Sequence, residues 1–329
     1  MLLARWELPM GLQYLGLVTT RLAIVALSSM AIVQCAEAAD LYCMRTYHSV
    51  DKSRLSLLFP SGREPNAQTC RDLLIKGAIE NGDSAKFMQI LKASHPFLDR
   101  VWLWSSGGSV EEAIKVGRLI RNNLIETEAP SDMSEKPAGR GWYFINELVP
   151  GCPERNRATP PKGAGCQCAS ACFLIWAAGV ERYGDSLGLH RPTIASTSFA
   201  SMPPDRASAT YRALLADISK FLIEMEIPPR FIEFMIDVSS TDIRWLTRDE
   251  AEALEEVPSV HEWIAATCGA MSKEEKDTLI RLEVEADQLK TLSPRNRMLL
   301  DQLQKRSSEI SLCAAKKVRL ARDAIHEPH

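Results

Sequence analysis

Apolar positions along the chain change period several times, and each change marks an element. Arg5 and Arg21 flank a mostly apolar stretch, and no charge interrupts Leu22–Val33. Ala36-Glu37-Ala38 then supplies the small-x-small pattern of a signal-peptidase site. The uncharged run is about 12 residues, right for an export signal and short for a membrane span. Residues 1–38 are therefore predicted to be a signal peptide cleaved after Ala38, with Met10 as an alternative start. An uncleaved anchor, lengthened by the apolar residues from Leu12 to Val18, is the competing reading.

Further on, Arg54–Phe59 alternates with period two, as a strand does. Asp72–Ile79 is a second apolar run. Asn81-Gly82-Asp83 reads as a turn, with Asp83 or Ser84 capping a helix from Ala85 to Ala93. Arg100–Trp104 is a short strand of large apolar residues that runs into Ser105-Ser106-Gly107-Gly108-Ser109. The next helix carries Ala113, Val116, Gly117 and Ile120 on one face. Strand, tight glycine turn and helix make the βα unit of a mainly parallel sheet.

Between 126 and 167 the periodicity fails amid Pro, Gly and polar residues, which predicts an inserted loop pinned by Cys152 and a later cysteine. Ala169–Ala178 reads as an apolar helix and Ser186–Pro192 as a short strand. Ala207–Glu226 reads as a long amphipathic helix ended by Pro228-Pro229. Thr247 with Glu250 three residues on makes a capping box for a short helix. Residues 272–325 read as two charged helices broken at Ser293-Pro294, with Leu279, Leu282, Leu289, Leu299, Leu303 and Ile310 as their seam. Cys268 and Cys313 lie at similar distances either side of that break. At ~1.5 Å per residue an antiparallel hairpin returns them to one height, which predicts a Cys268–Cys313 disulfide. The expected division is a signal peptide (1–38), an α/β domain (39–262, with the insert at 126–167) and a helical hairpin (263–329).

Composition narrows the function. Lys and Arg (39) nearly cancel Asp and Glu (42), so binding to nucleic acid through bulk basicity is excluded. At 46% hydrophobic the chain has the apolar content of a folded protein. Of nine cysteines, cleavage removes Cys35 and leaves Cys43, Cys70, Cys152, Cys166, Cys168, Cys172, Cys268 and Cys313. An even number in an exported chain favours disulfides and a periplasmic or secreted location. No later apolar run is long enough to cross a bilayer, so membrane attachment is expected only through an uncleaved N-terminal segment.

Three short segments carry the elements of acyl transfer. Ser170 stands at the front of an apolar helix, where the dipole favours negative charge. His190 ends a short strand 20 residues later and is a candidate base. Gly107-Gly108 forms a turn in which no side chain blocks the amides. Each alone has an ordinary structural explanation: a cap, a satisfied histidine, a turn.

In this order, the segments resemble the proteolytic subunit of the Clp protease, ClpP, over roughly residues 70–257. Gly77–Gly82 is similar to that family's first strand and turn, and Ser105–Val110 resembles its glycine turn. Cys168-Ala169-Ser170-Ala171-Cys172 resembles its nucleophile segment, and Gly188–Pro192 its histidine segment. Leu246–Ala251 resembles the stretch after its aspartate. The resemblance implies a ClpP/crotonase-like spiral of ββα units, here followed by the C-terminal α-helical hairpin. It implies Ser170 as nucleophile, His190 as base, and an oxyanion hole at Gly107, Gly108 and Ala171. The family's aspartate falls on Ile243 without a gap, so Asp242 is the candidate acid and Asp237 a second. Ser106 stands where the family has proline. The implied activity is that of a serine peptidase acting on peptide or protein substrates without a cofactor; the export signal makes it an exported one, and since no ATP is supplied outside the cytosol no ATPase partner is expected. Homo-oligomers are expected from the fold.

Several alternatives remain open in the sequence. A catalytically degenerate scaffold binding a partner through the hairpin is the non-enzyme reading. A serine–lysine dyad would use Lys220. A crotonase-type acyl-CoA enzyme is disfavoured by export. Cys152, Cys166, Cys168 and Cys172 are zinc-binding residue types, but the spacing lacks paired knuckles. A Cys168–Cys172 bridge would rigidify the turn around Ser170, whereas buried thiols or pairing with Cys152 and Cys166 would not.

Overall fold

In the computed structural model, the described residues are 39–46, 69–131, 167–194, 199, 201–289 and 292–325. The predicted signal peptide (1–38), the strand predicted at 54–59, and Cys152 and Cys166 lie outside them. So does nearly all of the insert.

Two small sheets organise the α/β part. The larger takes the order β1 (Asp40–Thr46), β2 (Cys70–Lys76), β3 (Arg100–Trp104), β4 (Glu126–Glu128), β6 (Arg182–Tyr183). Strand β1 runs antiparallel to β2, and the other pairings are parallel. The smaller sheet is β5 (Cys168–Ala169), β7 (Leu187–Leu189) and β8 (Arg244–Trp245), with β5 parallel and β8 antiparallel to β7. A parallel bridge between Ser105 and Cys168 joins the end of β3 to β5 and so links the two sheets.

Alternation along β2 and β3 explains their two faces. Leu73, Ile75, Val101 and Leu103 enter the main core. Leu74, Trp102 and Trp104 form a separate cluster on the opposite face, as period-two geometry requires. The main core is closed by α1 (Asp83–Ser94), α2 (Val110–Asn122) and α3 (Ala171–Ala177). Every residue of α3 is buried, which suits its uniformly apolar sequence. Arg182, fully buried, donates to the Met225, Gly179 and Leu254 carbonyls. Burial, with Arg121 close by, lowers its pKa to about 9.

Several boundaries differ from the sequence reading. Glu126–Glu128 is a strand rather than the start of a loop, because Arg100 bridges both carboxylates from β3 and makes two glutamates acceptable in a sheet. The apolar stretch from Ala169 divides into strand β5, Ser170 and helix α3. Helix α1 begins at Asp83 after Gly82, with no side-chain cap of its own. Glu112 of α2 performs that role, accepting from the Gly82 and Ser84 amides.

The long amphipathic helix is α4 (Pro204–Glu224), followed by α5 (Pro229–Asp237). Thr247 and Glu250 form the expected capping box of α6 (Arg248–Glu252). Helices α7 (Pro258–Cys268), α8 (Lys273–Leu289) and α9 (Pro294–Ala324) follow, and Ser293 caps α9. Disulfides join Cys43 to Cys70, Cys168 to Cys172 and Cys268 to Cys313. Leu282, Leu300 and Leu303 form the centre of the α8–α9 seam, while Leu299 is exposed. Both Leu299 and Leu300 lie about one turn from Leu303, so spacing alone does not choose between them. The far end of α9 returns to the α/β part, where Arg319 and Arg322 both reach Asp99 Oδ1, at 2.8 and 2.5 Å. Among the described residues no helix is long and apolar enough to cross a membrane.

Candidate active site

The site begins where β3 ends. Ser105 N–H donates to the Gln167 carbonyl, and the Ser105 carbonyl accepts from Ala169 N–H. These two bonds place the glycine turn beside the β5–α3 junction. Ser105, buried, accepts the Gly107 amide on its Oγ at 3.0 Å.

Two glycines are needed for close approach. A Cβ on Gly107 would stand 2.5 Å from Ser170 Cβ and 2.9 Å from its Oγ. A Cβ on Gly108 would meet the Ile79 carbonyl oxygen at 2.1 Å. Both residues also have positive φ, 110° and 139°, which L side chains rarely adopt. Ile79 holds the turn by donating to the Gly107 carbonyl and accepting from Ser109 N–H.

Ser170 is the strained residue of the site. Its backbone lies at φ 58°, ψ −125°, between strand β5 and helix α3. That conformation is unfavourable for any residue with a Cβ and persists only where its surroundings over-determine it. Here its amide donates to the Gly188 carbonyl at 3.0 Å and its carbonyl accepts from Phe173 N–H at 3.0 Å. The Cys168–Cys172 disulfide ties the residues two positions either side. Among the described residues, the Ala171 and Gly108 amides donate to no protein group. Gly107, by contrast, has its amide engaged by Ser105.

His190 follows β7 directly. The parallel register pairs Cys168 with Leu187 and Ala169 with Gly188. Ser170 and His190 therefore emerge from the same ends of neighbouring strands. His190 is half-buried, with Nδ1 2.8 Å from the Arg191 carbonyl oxygen. Asp242 lies two residues before β8, and the β7–β8 register of Leu189 with Arg244 sets it at that same end. It is exposed, and its amide donates to the Ser239 carbonyl. Among the described residues, no hydrogen bond or ion pair links Ser170 to His190, or His190 to Asp242 or Asp237. Arg244 anchors β8 through Glu250 at 2.7 Å and over the Phe234 ring. Burial raises the Glu250 pKa, but the Thr247 amide and Arg244 outweigh it and hold the carboxyl below its usual range.

Other candidates are placed as well. Lys220 is exposed on α4. Cys168 and Cys172 are joined to each other and so present no thiolates to zinc. Ser105, Ile79 and Arg191 were not singled out by sequence, because they act mainly through backbone or through fixing backbone, which leaves no residue-type signature.

No family profile matches the chain, and no curated protein matches it. Among solved structures it is similar to a mutant of ClpP1 from Listeria monocytogenes, at 15% identity and a TM-score of 0.36. The match covers 57% of this chain and 89% of that one.

Proposed function

We propose that the chain is an exported serine hydrolase, a ClpP-like peptidase in which residues 39–262 form a ClpP/crotonase-like spiral and residues 263–329 an appended hairpin. The observation that carries the reading is the backbone of Ser170, a non-glycine residue at φ 58°, ψ −125° on a strand-to-helix turn. Such a turn lifts a hydroxyl clear of the sheet and sets the next amide beside it, the geometry of a nucleophile elbow.

The steps follow from the groups present. Ser170 Oγ attacks an acyl carbonyl while His190 Nε2 takes the hydroxyl proton. The oxyanion is received by the Gly108 and Ala171 amides, which have no protein acceptor among the described residues. Collapse of the tetrahedral adduct breaks the acyl bond, and the imidazolium returns its proton to the leaving amine. Water, activated by His190, then hydrolyses the acyl-enzyme. Gly107 contributes space rather than a donor.

Disulfides at Cys43–Cys70, Cys168–Cys172 and Cys268–Cys313 support an oxidising compartment, periplasmic or extracellular, after removal of residues 1–38. Substrates there would be short or already unfolded peptides, since no ATP-driven unfolding partner operates outside the cytosol. The second reading, a degenerate scaffold, is favoured by the lack of a Ser170–His190 hydrogen bond. Labelling of the mature protein by a fluorophosphonate decides between them: Ser170→Ala should abolish the label, and unlabelled folded wild type would exclude the hydrolase.

A further inference from the structure

We propose that the peptide of Arg191, rather than a carboxylate, orients His190 as the base of this site. The inference rests on the hydrolase reading above and adds a positioning residue to it.

A catalytic imidazole must carry its proton on the nitrogen remote from the serine. His190 Nδ1 lies 2.8 Å from the Arg191 carbonyl oxygen. A carbonyl has no proton to give, so the ring nitrogen is the donor. The proton is thereby fixed on Nδ1, and Nε2 keeps the lone pair that accepts the Ser170 proton. In a Ser-His-Asp triad an aspartate supplies this acceptor.

A main-chain carbonyl can orient a ring only if the segment that carries it is held. Arg191 N–H donates to the Val238 carbonyl at 3.2 Å, and Arg191 Nε donates to the Ile236 carbonyl at 2.7 Å. Both acceptors lie at the C-terminal end of α5, where carbonyls lack intrahelical partners and the dipole favours a cation. From α4, Tyr211 Oη donates to the Pro192 carbonyl at 3.1 Å. The segment after His190 is thus held from two helices. The nearby carboxylates play no comparable part: Asp242 and Asp237 are exposed and unbonded to His190 among the described residues. Arg191 touches no substrate in this scheme; it acts through His190.

The test uses the mature protein with ¹⁵N-labelled histidine. Ring-nitrogen resonances report the His190 tautomer, and the rate of fluorophosphonate labelling reports Ser170 reactivity. Wild type and Asp242→Asn should both show the Nδ1–H form and label within about twofold of each other. Arg191→Ala should lose the single tautomer and label at least ~10-fold more slowly. Arg191→Lys, which can still donate to the Ile236 carbonyl, should recover part of that loss. An Nε2–H tautomer in wild type would overturn the proposal. So would slow labelling in Asp242→Asn beside normal labelling in Arg191→Ala. If no variant labels, the hydrolase reading fails, while the tautomer still reports whether Arg191 holds the ring.

Discussion

At the scale of single residues, Ser170 carries backbone strain that the proposed function would require. A side chain held at positive φ with extended ψ costs on the order of 1–3 kcal/mol. Glycine relieves that strain, at an entropic cost to the folded state of about 0.5–1 kcal/mol relative to alanine. Ser170→Gly should therefore be more stable than Ser170→Ala by about 1 kcal/mol. Urea denaturation of the two variants measures the difference, and a more stable alanine variant would refute strain at this position. The same trade is familiar where a reactive group is held ready at the expense of fold stability. Gly107 shows why the strain is tolerated: it leaves just enough room for Ser170 against the turn.

At the scale of elements, the start of α1 is satisfied across the chain rather than along it. Glu112 on α2 caps α1 through the Gly82 and Ser84 amides, and Lys115 pairs with it at 2.9 Å. Burial raises the Glu112 pKa, but the Ser84 hydrogen bonds and Lys115 prevail and hold it at about 2, against 4.5 for a free glutamate. A depressed folded value means the contribution is present above pH 4.5 and lost as pH falls through about 2. Glu112→Gln should remove that share of the acid sensitivity. Stability measured by denaturant at several pH values between those limits should fall less steeply in the variant. An unchanged slope would contradict the role given to Glu112.

These elements also show what the sequence could and could not disclose. Strand β3, the glycine turn, α2 and the Thr247 capping box were legible because each has a local signature: large apolar residues, paired glycines, a 3.6-residue period, and Thr247 with Glu250 three residues on. The Cys268–Cys313 bond followed from helical rise alone. Strand β4 was not legible, since its two glutamates become acceptable only beside Arg100, 26 residues before Glu126 in the chain. The division of Ala169–Ala178 was hidden for a related reason. A uniformly apolar run fits strand or helix, and only the long-range bonds to Ser105 and Gly188 impose the break at Ser170.

At the scale of the whole molecule, the C-terminal half of α9 is tied in at two places. Cys268–Cys313 bonds it to α7, and Arg319 and Arg322 converge on Asp99 just before β3. Arg322 also donates to the Leu124 carbonyl at the end of α2. Both arginines are buried, so removing their shared carboxylate leaves two desolvated cations. Asp99→Ala should lower stability by about 3 kcal/mol. Amide exchange should rise in the last turns of α9 before it rises in α3. Equal protection of α9 in variant and wild type would show that Asp99 does not dock it.

The central claim is that Ser170 is a nucleophile, and site-mapped fluorophosphonate labelling tests it most directly. Wild-type mature protein should gain one adduct, located by peptide mass on the segment containing Ser170. Ser170→Ala should gain none, and His190→Ala should label far more slowly. A folded wild type that stays unlabelled, or an adduct that survives in Ser170→Ala, would contradict the account.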